Sequence, residues 1–132
     1  MLSELSEKIG AKLIHISTDY VFPGNQPYPL SELDETGPRS VYGASKLAGE
    51  QHLISNKNTM IIRTSWLYSL HGTNFVKTMF RLLTERDKIK VVFDQTGSPT
   101  YAKDLASALL EIIRNVESDA QPFLPEIFHY SN

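Results

Sequence analysis

Cysteine is absent from this 132-residue chain, which excludes disulfide bonds and thiolate metal sites. Long apolar runs are absent as well, and none reaches the ~18 residues that a membrane-spanning helix requires. The N-terminus lacks the charged and then apolar pattern of a secretion signal. We therefore expect a cytoplasmic protein that does not act at a membrane.

An excess of charge of one sign is also lacking. The chain carries 13 basic and 15 acidic residues, and its formal net charge is -2 at pH 7. Nucleic acids and anionic membranes favour a clustered basic face. The stretch richest in basic residues, 81–90, is interrupted by Glu85 and Asp87, so the charge pattern argues against both partners.

Patterns typical of metal sites are missing too. None of the four histidines stands at a familiar ligand spacing from another histidine or a carboxylate. We therefore expect no metal site. Structural or solvated roles are expected for His15, His52, His71 and His129.

Hydrophobic periodicity predicts four helices, the first over residues 2–9 and the second ending near Ile54. The expected N-caps are Ser40 for the second helix, Thr73 or Asn74 for the third, and Thr100 for the fourth. The side chains expected to face inward are Leu47, Ala48, Leu53 and Ile54 in the second helix, Phe75, Val76, Met79, Phe80 and Leu83 in the third, and Leu105, Leu109, Ile112, Ile113 and Val116 in the fourth.

Short apolar runs alternate with these helices and predict buried strands of a parallel sheet. The predicted strands are Lys12–Ser17, Thr59–Trp66, Lys90–Asp94 and Ile127–Tyr130. The alternation predicts an α/β fold, namely a partial Rossmann-like, doubly wound parallel sheet with flanking helices in a single domain. Ligands of such sheets bind beyond the carboxyl ends of the strands. Chemistry is therefore expected in Ser17–Phe22, Thr64–Tyr68 and Asp94–Thr100.

A tyrosine and a lysine stand four residues apart at the start of the second helix. Tyr42 and Lys46 therefore lie on one helix face. A tyrosine hydroxyl is a weak acid at neutral pH, and a neighbouring ammonium favours its ionised form. Reduction of a carbonyl needs such a group to protonate the oxygen as hydride arrives. Ser17 and Thr18, at the end of a strand, offer a second hydroxyl to hold the carbonyl oxygen.

Four motifs occur in a fixed order along almost the whole chain. They are STDYVF (Ser17–Phe22), YGASKLAGE (Tyr42–Glu50), RTSWLY (Arg63–Tyr68) and DQTGSPT (Asp94–Thr100). Together they resemble the dTDP-4-dehydrorhamnose reductase family, which belongs to the extended short-chain dehydrogenases/reductases. The first two motifs mark the extended superfamily broadly, and the last two narrow the resemblance to the rhamnose-forming reductases.

The resemblance implies hydride transfer from NADPH, or less often NADH, to the C4 ketone of a dTDP-linked deoxysugar, dTDP-4-dehydro-L-rhamnose. It implies that residues 1–132 form the catalytic half of an NAD(P)-binding domain, with substrate-side segments 64–75 and 94–101. The implied catalytic residues are Thr18, Tyr42 and Lys46, with Tyr42 as the proton donor. The implied cofactor contacts are Ser17, Tyr42, Lys46, Thr64 and Ser65, and the implied substrate contacts are Thr18, Asp19, Trp66, Asn74, Gln95 and Thr100.

The sequence departs from the family pattern at its N-terminal side. The Gly-rich turn that brings a backbone close to a dinucleotide pyrophosphate has no match here. We therefore expect an internal fragment that lacks the first four strands and binds NADPH weakly by itself. The edge along Lys12–Ser17 is then predicted to be exposed, which favours pairing with a second copy.

Two other functions are compatible with the same motifs. One is a different nucleotide-sugar enzyme of the extended family, an epimerase or a dehydratase, since Asp19 places an acidic residue beside Thr18. The other is a non-catalytic subunit that resembles the regulatory subunit of methionine adenosyltransferase. The chain is also compatible with an inert fragment of an active parent protein.

Overall fold

The computed structural model describes residues 2–91 and 95–132 of the chain. Within those ranges the backbone forms helices and strands in alternation, as the sequence predicts. The helices are α1 (Leu2–Ile9), α2 (Val41–Leu53), α3 (Phe75–Glu85) and α4 (Ala102–Glu117), with a short 3-10 turn at Asp19–Val21. The strands are β1 (Leu13–Thr18), β2 (Thr59–Thr64), β3 (Leu67–Tyr68), β4 (Thr100–Tyr101) and β5 (Ile127–Tyr130).

Three of the strands form a parallel sheet in the order β1-β2-β5. In the register of this sheet Thr18 lies opposite Thr64, and Thr64 lies opposite Tyr130. The three strands therefore end at one level, and the segments that follow them share one edge of the sheet. The shorter strands β3 and β4 form a separate parallel pair. The predicted α/β architecture is confirmed.

The two faces of β2 are buried against different partners because successive side chains of a strand point to opposite faces. Met60 and Ile62 pack with Leu105 of α4 in the hydrophobic core. Ile61 and Arg63 alternate with them and are equally buried. Partly buried side chains that complete the core are Ile14, Ile16, Leu109, Ile112, Phe123, Phe128 and Tyr130.

Strand β1 has β2 as its single neighbour among the described strands. Within the described ranges no strand pairs with its other edge, and pairing of that edge with a second copy stays a prediction. None of the described helices combines the length and apolar character needed to cross a membrane. The predicted strand Lys90–Asp94 falls mostly on residues 92–94, which lie outside the described residues.

The buried face of α2 differs from the predicted one. Gly43, Glu50 and Leu53 are buried, whereas Ala48 and Ile54 are exposed. The reason is the close approach of the helix to the turn after β1. A Cβ atom on Gly43 would lie 2.2 Å from the carbonyl oxygen of Tyr20, so only glycine permits this packing.

The predictions for α3 and its neighbours also need correction. Asn74 caps α3 as expected, since its side chain accepts a hydrogen bond from the backbone N–H of Lys77. No residue of α3 is buried, however, and Phe80 and Leu83 are 70% and 63% exposed. The predicted inward face of α3 is therefore not part of the core; it lines an open cavity instead.

Two boundaries near the cavity were predicted wrongly. The strand predicted to reach Trp66 ends at Thr64, because Trp66 adopts a left-handed backbone conformation with φ of 43°. Thr100 does not cap α4, whose N-cap is Tyr101 without a side-chain hydrogen bond. Thr100 instead belongs to β4 and is fully buried.

Candidate active site

A cavity of about 740 Å³ opens at the carboxyl ends of β1 and β2, between α2 and α3. Most of the site residues predicted from the sequence converge on it, and only Asn74 and Thr100 lie outside its lining. The predicted residues that line it are Ser17, Thr18, Asp19, Tyr42, Lys46, Thr64, Ser65, Trp66 and Gln95. The remaining lining is mostly apolar and comes from Ile16, Tyr20, Leu67, Tyr68, Phe75, Val76, Met79, Phe80, Leu83 and Pro99.

One face of α2 supplies the tyrosine and the lysine. Ser40 begins the helix by accepting a hydrogen bond from the backbone N–H of Gly43 at 3.0 Å, which fixes the first turn around Tyr42. The ring of Tyr42 lies edge-on to that of Tyr20, with centroids 6.0 Å apart. Tyr42 remains 56% exposed. Its hydroxyl-bearing side chain is therefore accessible from the cavity.

Lys46 is tied to the strand below it. Its ammonium Nζ donates a hydrogen bond to the backbone carbonyl of Ile16 at 2.6 Å. An ammonium has three N–H donors, so two of them are left for other acceptors in the cavity. This anchor holds a positive charge beside the end of β1, close to Thr18.

Thr18 ends β1 and holds the turn that follows. Its hydroxyl accepts a hydrogen bond from the backbone N–H of Tyr20 at 3.2 Å and donates one to Oδ1 of Asp19 at 3.0 Å. Burial raises the pKa of the Asp19 carboxyl, and the hydrogen bond from Thr18 offsets part of that rise. A carboxyl group whose pKa lies above its ordinary value thus lies directly beside the hydroxyl of Thr18.

A buried ion pair behind the cavity was not predicted from the sequence. Arg63 and Glu50 are 5% and 2% exposed, and Nη2 of Arg63 lies 2.7 Å from Oε2 of Glu50. Nε of Arg63 donates to both carboxylate oxygens at 3.1 and 3.2 Å, and Ser17 donates its hydroxyl to Oε1. Glu50 therefore joins α2 to the ends of both β1 and β2.

Two signals in the sequence point to this ion pair in retrospect. Glu50 follows Lys46 by four residues, so it continues the face of α2 that carries Tyr42 and Lys46. Arg63 is the single charge in the buried run Thr59–Thr64, and a buried charge requires a partner. The guanidinium of Arg63 also lies over the ring of Phe22, at 5.0 Å.

Two of the predicted cofactor contacts, Thr64 and Ser65, have hydroxyl groups that already bind partners within the protein. Thr64 donates to the hydroxyl of Thr100 at 2.9 Å, and Ser65 donates to the backbone carbonyl of Ser98. The side-chain amide of Asn74 donates to the carbonyl of Ser69 at 2.8 Å. Asn74 and Thr100 thus support the cavity from outside its lining, and their contact with substrate stays a prediction.

The far side of the cavity is aromatic. Trp66 packs edge-on against Phe75, with ring centroids 5.5 Å apart. Gln95 and Pro99 come from the segment that leads into β4 and contribute to the same lining. The cavity therefore has hydroxyl, carboxyl and ammonium groups on the side of β1 and α2, and flat apolar groups on the side of α3.

This fold, with its cavity at the carboxyl ends of parallel strands, defines a Rossmann-like α/β domain. Comparison with known proteins makes the assignment specific. The chain belongs to the family described as the RmlD substrate binding domain, which matches residues 1–132.

Named relatives agree with this membership. A dTDP-4-dehydrorhamnose reductase of Sinorhizobium fredii is 50% identical over 131 residues, which cover 98% of this chain and 44% of the relative. The spore coat polysaccharide biosynthesis protein SpsK of Bacillus subtilis is 44% identical over 128 residues, covering 96% of this chain and 42% of the relative. The chain thus spans less than half the length of these curated relatives.

A solved structure supports the fold. The crystal structure of dTDP-4-dehydrorhamnose reductase from Bacillus anthracis in complex with NADP superposes with a TM-score of 0.85 at 45% identity. The match covers 99% of this chain and 45% of that protein. The parallel sheet and its flanking helices are therefore those of a Rossmann-like reductase.

Proposed function

We propose that the protein carrying this chain reduces the C4 ketone of dTDP-4-dehydro-L-rhamnose to give dTDP-L-rhamnose, with NADPH or NADH as the hydride donor. The observation that carries the proposal is the convergence of Thr18, Tyr42 and Lys46 on one cavity with Trp66 and Gln95. Two relatives that are 50% and 47% identical bear the name of this reductase, which supports the same substrate.

Tyr42 gives its hydroxyl proton to the ketone oxygen as C4 gains hydride. The carbon then carries a new C–H bond and the oxygen a new O–H bond, so the product is a secondary alcohol. Lys46 lies four residues along the same helix face, so its ammonium group lines the same cavity as Tyr42. Solvent returns the proton to Tyr42 through the open side of the cavity.

Thr18 orients the ketone. The hydroxyl of Thr18 donates a hydrogen bond to Oδ1 of Asp19 at 3.0 Å. When the sugar binds, this hydroxyl turns away from the carboxyl group and donates to the substrate oxygen instead. Asp19 then accepts a hydrogen bond from a sugar hydroxyl, which replaces the one from Thr18. The apolar side of the cavity, with Trp66 and Phe75, packs against the face of the sugar ring.

The residues of the cavity fit a nicotinamide cofactor, which supplies the hydride when it is bound. Lys46 has two N–H donors that are not used by Ile16, and these suit the hydroxyl groups of a ribose. The volume of about 740 Å³ lies in the range of ligand sites. Thr64 and Ser65, at the end of β2, line the same space.

The proposal is tested with a chimera in which this chain replaces the matched segment of the Sinorhizobium fredii relative. We expect the chimera to convert dTDP-4-dehydro-L-rhamnose to dTDP-L-rhamnose with consumption of NADPH, as measured by chromatography of the sugar nucleotides. A matched chimera with Tyr42→Phe separates this activity from background reduction. Oxidation of NADPH without C4 reduction of the sugar would contradict the proposal.

Binding of NADPH by the chain alone is expected to be weak, because the Gly-rich turn that approaches a pyrophosphate has no match in the sequence. Calorimetric titration of the chain with NADPH tests this, with the chimera as the reference. We expect heat of binding from the chimera and little from the chain. Micromolar affinity of the chain alone would show that its own residues hold the pyrophosphate.

One observation favours a second candidate, a nucleotide-sugar dehydratase or epimerase. Asp19 lies beside Thr18 in the cavity, and burial raises the pKa of its carboxyl. Such a group is suited to deliver a proton to a leaving hydroxyl. Incubation of the chimera with dTDP-glucose and NAD, followed by product analysis, separates the two functions, because only a dehydratase produces a 4-keto-6-deoxy sugar from it.

A further inference from the structure

We propose that Gly97 is a positioning residue for Trp66. Because glycine has no side chain, the Trp66 indole can lie against position 97. The position of the indole in turn sets the depth of the part of the cavity that binds the sugar in the proposed reductase. The inference rests on the proposed function for the identity of the sugar. A Cβ atom built on Gly97 would lie 2.8 Å from Nε1 and 3.0 Å from Cε2 of the Trp66 indole. The indole thus occupies the space that any other residue at position 97 would fill.

The backbone around Gly97 cannot easily retreat from the indole. The residue after it, Ser98, accepts a hydrogen bond from the hydroxyl of Ser65 through its carbonyl. Thr100 donates its backbone N–H to the carbonyl of Trp66 at 3.3 Å. Two contacts therefore tie the segment of Gly97 to Ser65 and to the backbone of Trp66. An added methyl group then displaces the indole.

The indole has space to move because a second cavity lies against it. This cavity has a volume of about 240 Å³ and is lined by Trp66, Phe75 and Met79 together with Lys90 and Val91. Trp66 and Phe75 also line the main cavity, so the aromatic pair stands between the two spaces. Displacement of the indole from Gly97 changes the shape of the main cavity.

Trp66 is held in a backbone conformation that a large side chain rarely adopts. Its φ of 43° lies in the left-handed region, which is unfavourable for a non-glycine residue. The surrounding contacts must offset this cost, and the edge-on packing of Phe75 together with the close approach of Gly97 supplies such contacts. Gly97 therefore acts on the sugar through Trp66 and does not need to touch the sugar.

The test compares Gly97→Ala with a matched control in the chimera described above. Gly37→Ala is the control, because a Cβ at Gly37 would meet Pro23 at 3.8 Å, an ordinary contact. Proteins are labelled with 5-fluorotryptophan, and the ¹⁹F resonance of Trp66, the single tryptophan of this chain, is assigned by its loss in Trp66→Ala. Affinity for dTDP-L-rhamnose is measured by calorimetry.

We expect Gly97→Ala to move the Trp66 resonance and to weaken binding of dTDP-L-rhamnose by about tenfold, the scale of coupling between residues in contact. Gly37→Ala should change neither. In the Trp66→Ala background, Gly97→Ala should have no further effect on affinity, because the side chain that it displaces is gone.

Three results would overturn the inference. They are an unmoved resonance in Gly97→Ala, an unchanged affinity, or the same loss of affinity in the Trp66→Ala background. Absence of dTDP-L-rhamnose binding by the parent chimera would overturn it as well. Neither readout requires turnover, so a chimera that binds the sugar nucleotide but does not reduce the ketone would contradict the proposed function and leave the role of Gly97 standing.

Discussion

The two sides of the cavity are built in different ways. The inner wall, defined as Ser17, Thr18, Tyr42 and Lys46, is backed by the buried Glu50–Arg63 ion pair and by the sheet. The outer wall, defined as Trp66, Phe75, Phe80 and Leu83, belongs to elements with little support, since α3 has no buried residue. The residues proposed to transfer the proton thus lie on the wall that buried polar contacts hold in place.

This difference has a physical reason. Proton transfer requires donor and acceptor atoms within hydrogen-bond distance, so its groups need fixed positions. Apolar contact with a sugar ring depends on area rather than on one distance, and it tolerates small shifts. We therefore expect substitutions behind the inner wall to reduce both stability and turnover, and those on the outer wall to act mainly on binding.

The largest effect is expected at the inner wall itself. Tyr42→Phe removes a single hydroxyl, and we expect kcat of the chimera to fall by about 10²- to 10⁴-fold, because this is the usual contribution of a general acid. Steady-state kinetics with NADPH and the 4-keto sugar measures it. Tyr28→Phe is the control, since Tyr28 is equally exposed at 56% but lies outside the cavity. A loss of less than tenfold in Tyr42→Phe would assign the proton to another group.

The next largest effect concerns the support of the inner wall. Arg63→Met leaves Glu50 charged and buried without its partner, and the free energy of unfolding should fall by about 3–5 kcal/mol. Urea denaturation of the chain measures this loss. The double variant Glu50→Gln/Arg63→Met should recover part of it, because no charge then stays buried alone.

Arg39→Met is the matched control for the ion pair. Arg39 is exposed, and substitutions at such positions usually change the unfolding free energy by no more than about 0.5 kcal/mol. An Arg63→Met variant as stable as Arg39→Met would show that the ion pair does not hold the inner wall.

Local patterns predicted much of this architecture. The alternation of helices and strands, the cap at Ser40 and the shared helix face of Tyr42 and Lys46 each follow from spacing within one segment. Parallel strands that end at one level then bring those segments together. The meeting of Thr18, Tyr42 and Lys46 in one cavity was therefore predictable, because it depends on short-range periodicity and on one rule of sheet topology.

The features that escaped prediction depend on contacts between segments. Glu50 and Arg63 are 13 residues apart, and nothing local shows that they meet. The exposure of α3 could not be predicted either, because an apolar stripe looks the same whether it faces a core or an open cavity. The left-handed backbone of Trp66 is not expected from the propensity of tryptophan, because bulky residues rarely adopt a positive φ.

A smaller effect is expected from the titration of Asp19. Burial raises the pKa of its carboxyl above the ordinary value of 3.8, so the folded protein binds this proton more tightly than the unfolded chain does. The protonated carboxyl of Asp19 therefore stabilises the folded protein fully below pH 3.8. This stabilisation is lost as the pH rises through the higher pKa of the folded protein. Asp19→Asn should therefore gain in stability relative to the parent chain as the pH rises from 3.

Urea denaturation of the chain and of Asp19→Asn between pH 3 and pH 7 measures this difference. Backbone hydrogen bonds lower the pKa of Glu32 and of Asp34, but both groups are present in the two proteins and cancel in the comparison. A difference in stability that does not change with pH would show that the carboxyl of Asp19 titrates normally.

The smallest effect is expected on the outer wall. Phe80 is 70% exposed, so Phe80→Ser should change the unfolding free energy of the chain by no more than about 0.5 kcal/mol. Ile62→Ala, which truncates a side chain that is 4% exposed in the core, should cost about 2–5 kcal/mol. Thermal and urea denaturation measure both. A loss in Phe80→Ser as large as that in Ile62→Ala would mean that α3 is held as firmly as the sheet, and the contrast between the two walls would then have to come from their chemistry alone.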